Sequence, residues 1–150
     1  MRHIKLLKPL ILVFVATFTG LISFAQTVYE AKLTGAQEAL PVLSRGEGML
    51  TATLNGNQLE VSGSFMNLET PLDPNVAGGA HLHIGLLGEN GPVAHLLTTD
   101  VNANMLGGSW NTMSNTFTLS NAEVEALEDR EMYVNVHTTG APGGELRGQL

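Results

Sequence analysis

The sequence predicts an all-β domain: an antiparallel immunoglobulin-like or Greek-key sandwich or barrel with one short helix. Three observations predict it. Short stretches of alternating apolar and polar residues recur from Val28 to Leu150. Turns rich in Gly, Asn and Pro separate them, and these residues suit tight reversals of the chain. Only one segment, residues 120–130, has a helix pattern.

The elements follow in order. Residues 28–33 alternate, with Tyr29, Ala31 and Leu33 on one face. Residues 47–54 alternate again, with Leu50, Ala52 and Leu54 on one face and Thr51 and Thr53 on the other. Asn55-Gly56-Asn57 tolerates positive φ, and Leu59, Val61, Gly63 and Phe65 share a face of the next strand. These two strands therefore make a hairpin. Residues 70–79 form a loop through Pro71, Pro74 and Gly78-Gly79. Residues 80–84 and 93–97 are short strands on either side of a turn at 86–92. Residues 98–108 are irregular, and 111–119 read as a strand through Met113, Phe117 and Leu119. Ser120 and Glu123 have the spacing of a capping box, with Val124 and Leu127 on the docking side. Residues 132–138 and 145–150 are the closing strands, joined by a turn at 141–144.

The first 25 residues read as a secretory signal peptide. Arg2, His3, Lys5 and Lys8 form a basic start, and an apolar run covers residues 9–22. Ser23 and Ala25 place small residues at −3 and −1 of a cleavage site before Gln26. The apolar run is shorter than the roughly 20 residues a spanning helix needs. Residues 26–150 are then one domain, secreted or periplasmic, with no membrane span after cleavage. That mature part keeps Lys32, Arg45, Arg130 and Arg147 against 14 acidic residues, a net charge of −10. Such a balance disfavours nucleic acid and anionic lipid as partners. The absence of cysteine excludes a disulfide scaffold, Cys-ligated zinc, an iron–sulfur centre, a thiol nucleophile and a cysteine-linked lipid anchor.

Four histidines remain in the mature part: His81, His83, His95 and His137. In His81-Leu82-His83 the two imidazoles stand on one face of a strand, about 6.5–7 Å apart along the chain, while Ala80, Leu82 and Ile84 take the other face. In residues 133–138, Val134 and Val136 share the apolar face, and Tyr133, Asn135 and His137 share the opposite one. If the two strands are neighbours, three imidazoles meet in a set suited to copper or zinc. His95, among Val93, Ala94, Leu96 and Leu97, is an optional fourth ligand. The alternative is structural: histidines that hydrogen-bond nearby loops.

The other polar groups point away from catalysis. Glu123, Glu125, Glu128, Asp129 and Glu131 read as a solvated helix face, since no calcium-loop pattern is present. Glu145 and Arg147 share a strand face, where they either pair or anchor a neighbouring loop. No hydrolase elbow, phosphate loop or dinucleotide fingerprint appears. The single Trp110 reads as packing with Phe65, Phe117, Tyr29 and Tyr133.

Several segments together resemble the CHRD domain, first named in chordin and common in exported bacterial proteins. Leu33-Thr34-Gly35-Ala36-Gln37-Glu38, followed by Pro41, is similar to the family's opening segment. Residues 46–54 resemble its next strand. Ala80-His81-Leu82-His83-Ile84-Gly85 and Asn90-Gly91-Pro92-Val93 resemble its A-H-I-H segment and N-G-P-V turn. Tyr133-Val134-Asn135-Val136-His137-Thr138 and Gly144-Glu145-Leu146-Arg147-Gly148-Gln149 resemble its closing signature. Ala39-Leu40-Pro41 departs from the family's usual Pro-Pro pair. The resemblance implies an all-β fold and no defined enzymatic activity. A second resemblance is to copper/zinc superoxide dismutase, which also carries H-x-H on a strand. That family uses more ligands and a disulfide, so four histidines and no cysteine argue against dismutase activity.

The expected function is therefore a non-enzymatic exported binding or structural module, with a protein partner in the cell envelope. The alternative is a copper or zinc protein using His81, His83 and His137, with His95 optional. If the leader is cleaved as expected, N-terminal sequencing of the exported protein starts at Gln26; a start at Met1 rejects cleavage.

Overall fold

The computed structural model describes residues 26–150. The expected signal peptide, residues 1–25, lies outside the described residues. Ten strands and one helix follow in chain order: β1 (Thr27–Thr34), β2 (Glu47–Asn55), β3 (Gln58–Met66), β4 (Ala80–Ile84), β5 (Val93–Leu96), β6 (Asp100–Val101), β7 (Gly108–Trp110), β8 (Thr116–Thr118), α1 (Asn121–Glu128), β9 (Met132–Val136) and β10 (Leu146–Gln149). All the strands join one antiparallel sheet in the order β5-β4-β9-β10-β1-β2-β3-β7-β6, with β8 added on β3. The sheet curls into a half-barrel, and the fold is all-β with one short helix.

Local sequence explains the frame. The β2–β3 hairpin turns at Gly56, whose φ of +61° is a left-handed conformation that glycine adopts without a Cβ clash. Its register sets Leu50 opposite Gly63 and Ala52 opposite Val61. Leu50, Ala52, Leu59 and Val61 are all fully buried. The concave face also takes Leu33, Leu82, Val134, Val136 and Leu146. Helix α1 begins at a capping box: the Ser120 backbone N–H donates to Glu123 Oε2 at 2.7 Å, and Ser120 Oγ accepts from the Glu123 N–H at 3.3 Å. Leu127 docks into the same core with no exposed surface.

Two stretches differ from the sequence reading. Residues 111–119 were expected as one strand, but only Thr116–Thr118 pair with β3. Asn111 Oδ1 accepts from the Ser114 N–H, and Asn115 Nδ2 donates to the carbonyls of Thr98 and Asn111. These side chains close a turn that leaves Met113 in solvent. Conversely, the region expected to be irregular contains β6 and the start of β7, because Gly108 and Ser109 pair with Val101 and Asp100.

Strands β4 and β9 bury both faces: Ala80, His81, Leu82 and His83, and every residue from Met132 to Val136, are buried. Their apolar side faces the half-barrel core. Their polar side lies under the loops that follow β1, β4 and β9. Ser120→Ala removes the bonds made by Ser120 Oγ and leaves the backbone bond to Glu123 in place; it is expected to lower stability by about 1 kcal/mol, whereas Leu127→Ala lowers it by roughly 2–5 kcal/mol. Urea unfolding checks both, and equal small losses contradict the core position of Leu127.

Candidate metal centre

Strands β4, β9 and β10 put their polar side chains in rows. His81 is opposite Asn135, and Asn135 is opposite Arg147. His83 is opposite Tyr133, and Tyr133 is opposite Gln149. His137 follows β9, two residues beyond Asn135, and its N–H donates to Gly79 O just before β4. The residues read as one polar face are thus brought together. Each of His81, His83 and His137 offers a ring nitrogen, and these nitrogens lie within 4.8 Å of one another. The three residues are 2%, 8% and 5% exposed, respectively, so the cluster is buried.

Each Nδ1 faces a backbone carbonyl: His81 to Ala77 at 3.1 Å, His83 to Gly91 at 2.8 Å and His137 to Pro142 at 2.9 Å. A carbonyl only accepts, so each Nδ1 carries the proton and each neutral ring keeps its lone pair on Nε2. The Nε2 atoms of His81 and His137 are 3.0 Å apart. That of His83 is buried with no hydrogen-bond partner. Two lone pairs at that separation repel unless a cation or a shared proton lies between them.

Burial is the main force on the ionisation of these rings. It lowers His81 to about 4, aided by the neighbouring His137 and His83 and opposed by the Ala77 carbonyl. It lowers His83 as well, with Arg147 and His137 adding to the effect and the carbonyls of Gly91 and Pro92 opposing it. It lowers His137 against the Pro142 carbonyl and Asp73, which both favour the charged ring. The triad is therefore neutral near pH 7 and ready to donate lone pairs.

The loop that carries the Gly91 carbonyl is held in place from the β10 side. Arg147 is fully buried. Its guanidinium donates to Glu89 O at 2.7 Å, to Leu86 O at 2.8 Å and to Gln149 Oε1 at 3.1 Å. Its carbon lies 3.5 Å from the centroid of the Tyr133 ring. Tyr133 in turn stacks on His83, centroids 4.5 Å apart and planes 4° from parallel. The Tyr133 hydroxyl accepts from the Gly91 N–H at 3.1 Å, and Gly91 O is the acceptor for His83. Gly91 itself has no room for a side chain, since a Cβ there would collide with Ile84 O.

His95 is not part of the triad. It pairs across the sheet with Leu82, so it stands on the opposite face of β4 from His81 and His83. There it lies 4.7 Å from the Phe117 ring and 3.0 Å from Glu123 Oε1. Glu145 and Arg147 do not pair; of the two expectations, loop anchoring describes them. Glu145 accepts from Ser44 Oγ and the Glu69 N–H on one oxygen and from Thr138 Oγ1 on the other.

Sequence reasoning named Glu38 only as the end of the opening segment of the family resemblance and gave it no role. Its carboxyl is buried beside Asn135 and lines a cavity of about 340 Å³ shared with Asn90 and the 140–144 turn. Burial pushes it up to about 7, against Arg147 and Asn135, which favour the ionised form. Nothing in the alternation of residues 33–42 marks it, because its burial comes from loops distant in sequence.

A curled antiparallel half-barrel with a buried triad of imidazoles under three loops is the class of domain that this geometry defines. The CHRD domain matches residues 29–150, and the chain belongs to that family. No curated protein and no solved structure matches it. Among the described residues, no helix is long and apolar enough to cross a membrane.

The ionisation shifts give a pH signature for the metal-free protein. The folded histidines resist protons that the unfolded chain takes up below about 6.5, so their stabilising contribution is lost as pH falls from there toward 4. Glu38 acts with the opposite sign: its contribution is present below about 4.5 and is lost as pH rises to about 7. The melting temperature is expected to fall between pH 7 and pH 4.5, and to fall more steeply in Glu38→Gln. A flat profile in both proteins rejects the buried neutral triad.

Proposed function

We propose that this CHRD domain is an exported, non-enzymatic binding module whose ligand is a copper or zinc ion held by His81, His83 and His137. One observation carries the reading: all three Nδ1 atoms are engaged by backbone carbonyls, which leaves three buried Nε2 lone pairs converging without a donor. Carbonyl acceptors on the far nitrogen are the usual way a protein orients histidine ligands and sets their tautomer. Purely structural histidines would use both nitrogens on protein groups, and the two facing Nε2 atoms here do not have such partners. The basic start, apolar run and small residues of positions 1–25 support export.

A protein partner in the envelope is a second reading. It rests on the exposed leucines of two loops: Leu40 and Leu43 after β1, and Leu86 and Leu87 after β4. A metal centre next to these loops is compatible with it.

The test is the copper and zinc content of untagged protein after metal loading and desalting. Near-stoichiometric metal is expected in the parent and in His95→Ala. It is expected to be lost in the His81→Ala/His83→Ala double variant. Equal content in parent and double variant, or none in either, removes the metal reading and leaves the histidines structural.

A further inference from the structure

We infer that the three-histidine centre is built for monovalent copper in preference to a divalent ion, with Arg147 and Tyr133 as the positioning residues that set this preference. The inference rests on the metal reading above and names the ion and its charge.

Ligand charge comes first. The three ligands are neutral imidazoles, and among the described residues no carboxylate joins their group. Placing net charge in a buried site is costly, and the cost grows steeply with that charge. A monovalent ion brings +1 to these rings and a divalent ion brings +2, with no anionic ligand to offset either.

The fixed charges nearby act in the same direction. Arg147 is a permanent cation with no exposed surface, stacked 3.5 Å from the centre of the Tyr133 ring. Tyr133 lies flat against His83, so Arg147 faces the ligand set through one aromatic ring. In a poorly solvated interior such a charge acts over several ångströms. Two acids work against it. Asp73, whose N–H donates to His137 O, is half-exposed, which lets water weaken its field. Glu38 faces Arg147, and burial holds its carboxyl partly protonated near neutral pH.

Coordination number agrees. Three donors suffice for a trigonal monovalent ion, whereas zinc would need a water to complete its tetrahedron and divalent copper is left short of a tetragonal set. Among the described residues, no fourth His, Cys, Asp or Glu reaches the group.

The stack also fixes geometry. Arg147 holds Leu86 O and Glu89 O, Tyr133 holds the Gly91 N–H, and Gly91 O holds His83. The ring of His83 is therefore preset and has little freedom to shift toward a tetragonal arrangement.

The experiment is competition of the untagged protein against chromogenic chelators for Cu(I), Cu(II) and Zn(II), with Cu(I) handled anaerobically. Cu(I) is expected to bind tighter than Zn(II) by about a hundredfold or more, and also tighter than Cu(II), against the usual strength of divalent copper at nitrogen sites. Arg147→Met is expected to lower the ratio of Cu(I) to Cu(II) affinity about tenfold, which is 59 mV for a one-electron couple. Arg147→Lys is expected to keep most of it. Asp73→Asn, whose amide oxygen can keep the bond from the Asn75 N–H, is expected to raise the ratio, and it carries the charge test if Arg147→Met does not fold. Divalent ions bound as tightly as Cu(I), with binding still lost in the His81→Ala/His83→Ala double variant, overturn this inference and leave the metal centre standing. No affinity for any of the three ions overturns both. An unmoved ratio in folded Arg147→Met and in Asp73→Asn overturns the role of Arg147.

Discussion

A guanidinium buried in the middle of a protein constrains everything around it. Taking a cation out of water costs several kcal/mol unless hydrogen bonds and favourable charge replace the solvent. Arg147 meets that demand with two loop carbonyls, the Gln149 amide oxygen, the face of Tyr133 and the field of Glu38. Meeting it dictates the path of residues 86–91. The same path delivers Gly91 O to His83 and the Gly91 N–H to Tyr133. The histidine cluster thus inherits its geometry from a residue two strands away.

The sheet makes this possible because its central strands are buried on both sides. Val134 and Val136 belong to the half-barrel core, while Tyr133 and Asn135 belong to a second, polar interior. A polar interior is stable only if nearly every group has a partner. Glu145 illustrates how that is met: both its oxygens accept bonds, from Ser44, Glu69 and Thr138, and so join three loops. The exceptions are informative. The Nε2 of His83 lacks a partner, and the corresponding atoms of His81 and His137 have only each other. Glu38 Oε1, Asn135 Oδ1 and Arg147 Nε are also buried without a partner, so the unmet polar atoms of this interior lie on the carboxyl, the amide and the guanidinium as well as on the imidazoles.

The CHRD family supplies the frame, and chemistry has to come from the site. Loops that pin the histidines are also the loops that border the Glu38 cavity and carry the exposed leucines. The imidazole cluster, the exposed Leu86 and Leu87 and the buried Glu38 carboxyl are therefore mechanically connected through residues 86–91 and 139–144.

Much of the fold was legible in the sequence because it is local. Alternation marked β1 to β5, β9 and β10, Gly56 marked the hairpin, and Ser120 with Glu123 marked the helix start. Alternation also placed His81, His83 and His137 on the face opposite the valines and leucines. Where side chains overruled the pattern, as Asn111 and Asn115 did in the turn before β8, the reading failed. Period-two alternation fixes which side of a strand a residue takes, and that is a property of the backbone. It cannot say what covers that side. The tertiary structure decided that the polar face is buried and that His95 turns away with Leu82. It also decided that Arg147 spans to Leu86 and Glu89 and that Glu38 is enclosed. Each of these depends on strand order and on loops brought together from distant parts of the chain, and the energy that selects them comes from satisfying buried charge, which no local window of sequence contains.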